Sequence, residues 1–277
     1  MKVKEKYKDL LGNIRRYDKA AIAFSGGVDS TLLAYAASEA LGIENVVCFT
    51  ARALSFPARE LKEAEAFCEE RGIAHEIFDF NEIGIEGFAA NPPDRCYLCK
   101  RALFSEFNAL AERRGLKVLL EGSNADDEGD YRPGIRAIRE MDVKSPLYDA
   151  DLKKEDVREI LKSIGLTVWE KPSYACLATR FPYGEEITIE KLGMVEKAEQ
   201  FLFDKGYKNT RIRIHGKDNF TARIEVPAKE ITELVKEPLR SETEKYFKEL
   251  GFAYVALDLT GYRMGSMNEV LSGKRKG

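Results

Sequence analysis

The sequence has 277 residues, 44% of them hydrophobic, so it is long enough for about two domains and can bury a sizeable core. Its 44 Lys and Arg residues against 47 Asp and Glu give a net charge of -3, which is too balanced for a general nucleic-acid-binding protein. No apolar run approaches the ~18 residues of a membrane span, and the charged first residues lack a signal-peptide core. We therefore expect a cytoplasmic protein in a reducing compartment, without membrane contact.

The first half of the chain alternates apolar runs with helical patterns. This alternation predicts an α/β fold, a doubly wound parallel sheet with helices on both faces. Ligands of such a sheet bind beyond the carboxyl ends of its strands, which lead here into Ser25, Thr50 and Gly122. Strands are predicted at 20–24, 45–49, 74–78 and 117–121, and helices at 30–41, 58–71 and 100–114.

The pattern changes in the second half of the chain. Residues 122–136 and 171–187 have no periodicity, which predicts loops. We expect a first domain over residues 1–183 and a small α-β-β-α-β domain over residues 184–277. Its predicted elements are a helix at 188–206, strands at 210–215 and 219–226, a helix at 228–250 and a strand at 252–258.

A glycine-rich loop follows the first strand and leads into a helix. Adjacent Gly26 and Gly27 let the backbone fold closely around an anion, which its N–H groups and the start of the helix favour. Asp29 offers a carboxylate to Mg²⁺ or to pyrophosphate, and hydroxyl donors come from Ser25, Ser30 and Thr31. An ordinary glycine turn is the alternative. The Lys of a Walker A loop and the pattern G-x-G-x-x-G are both missing, which argues against Walker kinases and dinucleotide oxidoreductases. The loop resembles the PP-loop of ATP pyrophosphatases, which split ATP between its α and β phosphates and adenylate a substrate.

A second polar loop, residues 121–127, follows the strand at 117–121. It lies at the same predicted sheet edge, so we expect Gly122, Asn124 and Thr50 to contact ATP together with the PP-loop. Asp127 is a candidate Mg²⁺ ligand. A solvated turn that caps the next helix is the alternative. The neighbouring segment adds Arg132 and Arg136, which suit phosphate or carboxylate.

Three of the five cysteines form a candidate metal or sulfur site. Cys96 and Cys99 form a CxxC pair, and Cys176 lies far along the chain. A CxxC pair alone is compatible with a redox pair, half of a zinc site or chance, and we find no convincing fourth zinc ligand. Three thiolates are able to hold three irons of a [4Fe–4S] cluster and leave the fourth iron open for sulfide or substrate. Cys48 and Cys68 are expected to pack in the core.

Two arginines alternate on a strand of the second domain. Arg211 and Arg213 share one face because strand side chains alternate with a period of two. Guanidinium groups ~7 Å apart suit a phosphate clamp. A solvated sheet face with cross-strand ion pairs is the alternative.

Six segments together resemble the LarE family and cover almost the whole chain. Members are ATP-dependent sulfur transferases that help to build the nickel-pincer nucleotide cofactor of lactate racemase. The family substrate is pyridinium-3,5-biscarboxylic acid mononucleotide, which becomes the bis(thiocarboxylic acid) form. The segments are SGGVDSTLLA at 25–34, RCYLCK at 95–100, EGSNADD at 121–127, DYRPGIRA at 130–137, KPSYACLATRFPYG at 171–184 and GYRMGSMN at 261–268.

The resemblance implies roles for individual residues. The PP-loop holds the ATP phosphates, with Asp29 needed for adenylation, and Lys100 stabilises charge at the reacting phosphate. Cys176 lies where sulfur is delivered, and Arg180, Arg211 and Arg213 hold the phosphate of the mononucleotide. Cys96 and Cys99 resemble those of the branch thought to bind a [4Fe–4S] cluster that carries an extra sulfide, so we expect Cys176 to survive turnover as a ligand. Homo-oligomers and transient handover to other proteins of nickel-pincer biosynthesis are also implied.

Three other functions fit parts of the sequence. A tRNA thiolation enzyme combines a PP-loop with cysteines, but the acidic balance and the lack of further CxxC pairs argue against it. An ammonia-using synthetase like NAD or GMP synthetase fits the PP-loop equally well. A non-catalytic nucleotide-binding or iron–sulfur module is the third alternative.

Overall fold

The computed structural model describes residues 3–127 and 133–268, in two compact units. The first unit comprises Met1–Asn81 and Cys96–Tyr174, and the second comprises Glu82–Arg95 and Ala175–Gly277. This division differs from the expected boundary at residue 183, because the backbone N–H groups of Gly184 and Ile187 donate to the carbonyl groups of Asn91 (2.9 Å) and Ala89 (2.8 Å). The segment 82–95 therefore packs with the second unit.

The first unit is built on a four-stranded parallel sheet, in the order β3-β2-β1-β4. The predicted α/β fold with a parallel sheet is thus confirmed. The strands are β1 (Ala20–Ala23), β2 (Val46–Arg52), β3 (Ala74–Asp79) and β4 (Leu119–Leu120), and the helices are α1 (Val3–Ile14), α2 (Val28–Leu41), α3 (Ala58–Arg71), α4 (Arg95–Arg113), α5 (Pro133–Glu140), α6 (Pro146–Asp149) and α7 (Lys154–Ser163).

Side chains alternate across this sheet into two helical layers. Ile22 and Cys48 belong to a core cluster with residues of α1, α2 and α7. Ala21 and Phe49 belong to a second cluster with residues of α4 and α5. Burial of a large apolar side chain stabilises the fold by roughly 1.5–3 kcal/mol, so both layers hold the sheet edge in place.

The second unit contains a three-stranded sheet in the order β5-β6-β7. Strands β5 and β6 are antiparallel, and β6 and β7 are parallel. The single helix predicted at 228–250 is wrong: α9 ends at Leu234 and α10 begins at Leu239, directly after Pro238, whose ring interrupts helical hydrogen bonding. The elements are α8 (Ile189–Asp204), β5 (Arg211–His215), β6 (Thr221–Glu225), α9 (Ile231–Leu234), α10 (Leu239–Glu249) and β7 (Tyr254–Leu257). Within the described ranges, no helix combines the length and hydropathy that a membrane crossing requires.

Candidate functional site

The PP-loop lies between β1 and α2 and presses against α3. Gly26 has φ +64°, a left-handed conformation that side chains rarely adopt. A Cβ atom on Gly26 would lie 3.1 Å from the Cβ atom of Ala64. The position therefore requires glycine for both its backbone conformation and its space.

Hydroxyl groups order the rest of this loop. The Oγ atoms of Ser25 and Ser30 lie 3.1 Å apart, and Ser30 Oγ also donates to the carbonyl of Gly27 (3.2 Å). The N–H of Thr31 donates to the same carbonyl (2.9 Å), which begins the 14-residue helix α2. The start of a helix carries a partial positive charge, so the loop presents a favourable surface to phosphate.

The second loop touches the PP-loop at Gly122. A Cβ atom there would lie 3.1 Å from the backbone N of Ser30 and 3.2 Å from Cβ of Asp29, closer than ordinary contact. Buried Asn124 donates from Nδ2 to Asp29 Oδ1 (3.1 Å), and its own N–H donates to Asp127 Oδ2 (3.0 Å). The structure thus brings the predicted Asp29, Gly122, Asn124 and Asp127 to one edge of the sheet.

Lys154 joins this cluster and was not predicted from the sequence. Its ammonium group forms an ion pair with Asp29, and its backbone N–H donates to Asp126 Oδ2 (2.9 Å). Lys154 is the first residue of α7. A cation is unfavourable at a helix N-terminus, and that conflict is the sequence signal that would have indicated a functional partner.

A second lysine that sequence reasoning missed links the PP-loop to α3. Lys171 Nζ donates to the carbonyl of Gly26 (3.1 Å) and pairs with Glu60 (2.8 Å) and Glu63 (2.5 Å) of α3. Burial raises the pKa of Glu60, although the charge of Lys171 opposes the shift. Lys171 therefore fixes the backbone of the loop rather than facing solvent.

Thr50 lies near the end of β2 with its hydroxyl group already engaged. Its Oγ1 donates to the carbonyl of Phe24 (2.7 Å) and lies 2.8 Å from His75 Nε2. Only 1% of Thr50 is exposed. These contacts hold the residue that precedes the PP-loop, so any contact of Thr50 with ATP uses its surface beyond the hydroxyl.

The CxxC pair and Lys100 lie near the start of α4. Tyr97, between the two cysteines, stacks under the guanidinium of Arg136 at 3.8 Å and donates to Glu140 (2.6 Å). Lys100 Nζ lies 5.4 Å from the ring centroid of Phe104, and its methylene groups pack against Gly134. These contacts of Lys100 are with α4 and α5, on the side of the sheet that the second core cluster covers. Residues 130–132 of the predicted segment, including Arg132, lie outside the described residues.

The cysteines occupy different environments. Cys48 and Cys68 are buried, as expected of core residues, whereas Cys96 and Cys99 are half-buried and Cys176 is exposed. Over 3–127 and 133–268, no three His, Cys, Asp or Glu side chains lie close enough together to hold a metal ion. The described arrangement therefore does not by itself form an iron–sulfur site.

Arg180 lies in the second unit, in a buried ion pair that the sequence did not predict. Its Nε and Nη2 donate to the two carboxylate oxygens of Glu199 at 2.7 and 2.9 Å. Burial raises the pKa of Glu199, but the charge and hydrogen bonds of Arg180 outweigh burial and lower it, so the pair is ionised. The predicted phosphate contact of Arg180 is not supported by this arrangement, because Glu199 already neutralises its charge.

Arg211 and Arg213 share a face of β5, as predicted, but neither is solvated. Arg213 pairs with Glu225 (2.8 Å) and donates to the carbonyl of Thr179 (3.0 Å). Arg211 is 2% exposed, and its guanidinium lies 4.9 Å from the ring centroid of Tyr262. Burial, together with the charge of Arg180, lowers the pKa of Arg211. An anion beside Arg211 would offset both effects.

Comparisons with known proteins agree with this geometry. The family model described as NAD synthase matches residues 7–91. An uncharacterised protein of Synechocystis sp. is 43% identical over 266 residues, which are 95% of this chain and 98% of the relative. The pyridinium-3,5-bisthiocarboxylic acid mononucleotide synthase of Lactiplantibacillus plantarum is 34% identical over 263 residues, which are 95% of this chain and 94% of the relative. The chain belongs to the LarE family.

Membership in the LarE family makes this chain an ATP-dependent sulfurtransferase, and ATP and Mg²⁺ fit its PP-loop. A glutamine-hydrolysing GMP synthase of Thermoplasma acidophilum is a more distant relative, 27% identical over 201 residues, which are 68% of this chain and 64% of the relative. Together with the NAD synthase match, this relative points to the PP-loop as the shared feature, whereas the LarE likeness extends over the whole chain.

Proposed function

We propose that this enzyme adenylates the carboxylates of pyridinium-3,5-biscarboxylic acid mononucleotide and replaces a carboxylate oxygen with sulfur. The observation that carries the proposal is the meeting of two loops at Asp29, in a chain similar over 95% of its length to a synthase of the bisthiocarboxylic acid mononucleotide. The reaction would belong to the maturation of lactate racemase through its nickel-pincer nucleotide.

The chemistry proceeds in two balanced steps. First, a carboxylate oxygen forms a bond to the α-phosphorus of ATP, the bond between the α-phosphorus and the bridging oxygen breaks, and pyrophosphate leaves with the electron pair. This step converts a poor leaving group into AMP. A sulfur nucleophile then attacks the acyl carbon, and AMP leaves with the former carboxylate oxygen.

The residues of the first unit suit the adenylation step. The PP-loop offers N–H groups and the start of α2 to the phosphates. Asp29, with Asp127 on the other side of Asn124, would hold Mg²⁺, which would neutralise charge on the departing pyrophosphate. Lys154 holds the Asp29 carboxylate in place and puts a positive charge beside it. The predicted role of Lys100 at the reacting phosphate stays a prediction.

The residues of the second unit suit acceptor binding and sulfur transfer. We propose that Arg211 and Arg213 bind the phosphate of the mononucleotide, since burial and neighbouring positive charge make Arg211 receptive to an anion. Exposed Cys176 is the proposed point of sulfur delivery. A thiolate is a strong nucleophile toward an acyl adenylate.

We further propose that Cys96, Cys99 and Cys176 bind a [4Fe–4S] cluster. Support comes from the three thiols themselves and from Arg95, the residue before Cys96, whose Nη1 donates to the carbonyl of Ala178 (3.0 Å), two residues after Cys176. The described residues gather no three metal ligands, so the thiols would have to come together as iron binds. No step of the reaction above depends on the cluster.

A cytoplasmic location, a homo-oligomeric state and handover of the product to other nickel-pincer biosynthesis proteins complete the proposal. Each is carried over from the family resemblance. The use of ATP and of reduced thiols agrees with a cytoplasmic location.

The proposal is tested by assaying the anaerobically purified protein with ATP, Mg²⁺, a sulfide source and the pyridinium mononucleotide. AMP and pyrophosphate should form in equal amounts and only with the acceptor present. Asp29→Asn should abolish both products, whereas Asp9→Asn, a matched change on exposed Asp9 of α1, should leave them unchanged. AMP formation with ammonium and no sulfur source would instead indicate an amide-forming synthetase, and dependence on tRNA a tRNA thiolation enzyme.

Iron and sulfide analysis of the same protein tests the cluster. About four irons per chain, lost in Cys96→Ser, would support it. Colourless protein that contains zinc would contradict it, and so would loss of the Cys176 sulfur after turnover in mass spectra.

A further inference from the structure

Arg180 contacts the backbone on both sides of Cys176. Its Nη1 donates to the carbonyl oxygens of Ala175 (2.9 Å) and Cys176 (3.2 Å) and to Thr179 Oγ1 (2.8 Å). The first carbonyl belongs to the peptide group before Cys176 and the second to the peptide group after it. Thr179 adds two bonds of its own to the Cys176 carbonyl, from N–H (3.0 Å) and Oγ1 (2.8 Å). With both peptide groups fixed, the direction of the Cα–Cβ bond of Cys176 is fixed as well.

Glu199 connects this contact to the strand of the predicted phosphate site. Besides Arg180, its Oε1 accepts the backbone N–H of Ile212 (2.9 Å), the residue between Arg211 and Arg213. Only 1% of Arg180 and 2% of Glu199 are exposed. A buried pair with this many hydrogen bonds is strongly directional, so it sets the position of the Cys176 backbone relative to β5.

We propose that Arg180 is a positioning residue: with Glu199, it holds the thiol of Cys176 at a set distance from the phosphate-binding arginines of β5, so that one mononucleotide reaches both. This inference rests on the proposed function, because it assumes sulfur delivery at Cys176 and phosphate binding at Arg211 and Arg213. It assigns Arg180 a role other than phosphate binding.

The first test measures the alkylation rate of Cys176 by iodoacetamide, followed by peptide mass spectrometry, in the full chain purified without added iron. Arg180→Lys keeps the charge but loses the planar set of donors, and Glu199→Gln keeps an acceptor for Ile212. Both variants should change the alkylation rate at least threefold. Arg240→Lys and Glu237→Gln are the matched controls, since that pair lies on the exposed surface (2.9 Å), and both should react like the wild type.

The second test measures steady-state sulfur transfer in the reconstituted protein. A misplaced thiol predicts a fall in kcat of up to about 10²-fold, with little change in the KM of the mononucleotide. An increase in KM alone, with unchanged alkylation, would show that Arg180 binds the phosphate and would overturn the proposal. Should Arg180→Lys fail to fold, Glu199→Gln decides both measurements.

The two tests separate this inference from the proposed function. Alkylation requires no substrate. A wild-type protein that transfers no sulfur to the mononucleotide contradicts the proposed function, while altered alkylation in both variants still supports positioning of Cys176. Unchanged alkylation in both variants contradicts positioning, whatever the substrate proves to be.

Discussion

The replacement Gly122→Ala tests the close approach of the two loops. The added Cβ atom would lie 3.1 Å from the N atom of Ser30 and 3.2 Å from Cβ of Asp29. Carbon atoms in favourable contact lie about 3.5–4.0 Å apart, so the PP-loop must move by a few tenths of an ångström. Overpacking of this kind costs about 1–3 kcal/mol in the free energy of unfolding.

The same movement displaces Asp29 from the adenylation geometry. A misplacement of 1 Å costs about 10²-fold in rate, so a few tenths of an ångström should lower kcat/KM by roughly four- to tenfold. Urea unfolding and pyrophosphate release measure the two effects. The control is Gly12→Ala in α1, where nothing lies within 4 Å of the new Cβ atom and the free energy of unfolding should rise by roughly 0.5–1 kcal/mol. A Gly122→Ala protein as stable and active as the wild type would refute the described approach of the loops.

Three further predictions address single side chains. Lys154→Met should slow pyrophosphate release by about 10²-fold, because a positive charge beside the phosphates is lost, while Lys153→Met on the neighbouring exposed residue should not; equal rates would exclude a role for Lys154. Arg211→Lys should raise the KM of the mononucleotide roughly tenfold but leave that of its dephosphorylated form unchanged, and a parallel rise for both forms would argue against a phosphate contact. Burial and the hydrogen bond to Glu39 raise the pKa of Tyr7, so its stabilising effect is complete below the ordinary value of ~10 and is lost as the pH rises above it. Tyr7→Phe should therefore show a smaller loss of stability between pH 8 and pH 11 than the wild type in urea unfolding; identical losses would contradict the shift.

Local sequence signals were sufficient for the parallel sheet and the PP-loop. Apolar runs mark β1 and β2 because both faces of these strands are buried. The glycine pair marks the loop because Gly26 requires a positive φ. Helix α1 was not predicted, although Leu10, Leu11 and Ile14 have helical spacing, because the many charged residues of this segment weaken its apolar pattern.

Contacts between distant residues could not be predicted in the same way. Arg180 resembles a phosphate ligand in the sequence, and its carboxylate partner Glu199 lies on α8 at no regular spacing from it. The pairing of Lys154 with Asp29 depends on α7 packing beside α2, which a local pattern does not encode. Burial decides whether an arginine meets solvent, a ligand or a carboxylate, and burial is a property of the fold.

The most direct test of carboxylate activation uses the pyridinium mononucleotide with its carboxylate oxygens labelled with ¹⁸O. If a carboxylate oxygen attacks the α-phosphorus, each sulfur transfer must leave one labelled oxygen in the phosphate of AMP. Mass spectrometry should therefore find AMP heavier by two mass units, in an amount equal to the thiocarboxylate formed. Unlabelled AMP accompanied by thiocarboxylate would contradict adenylation by this enzyme.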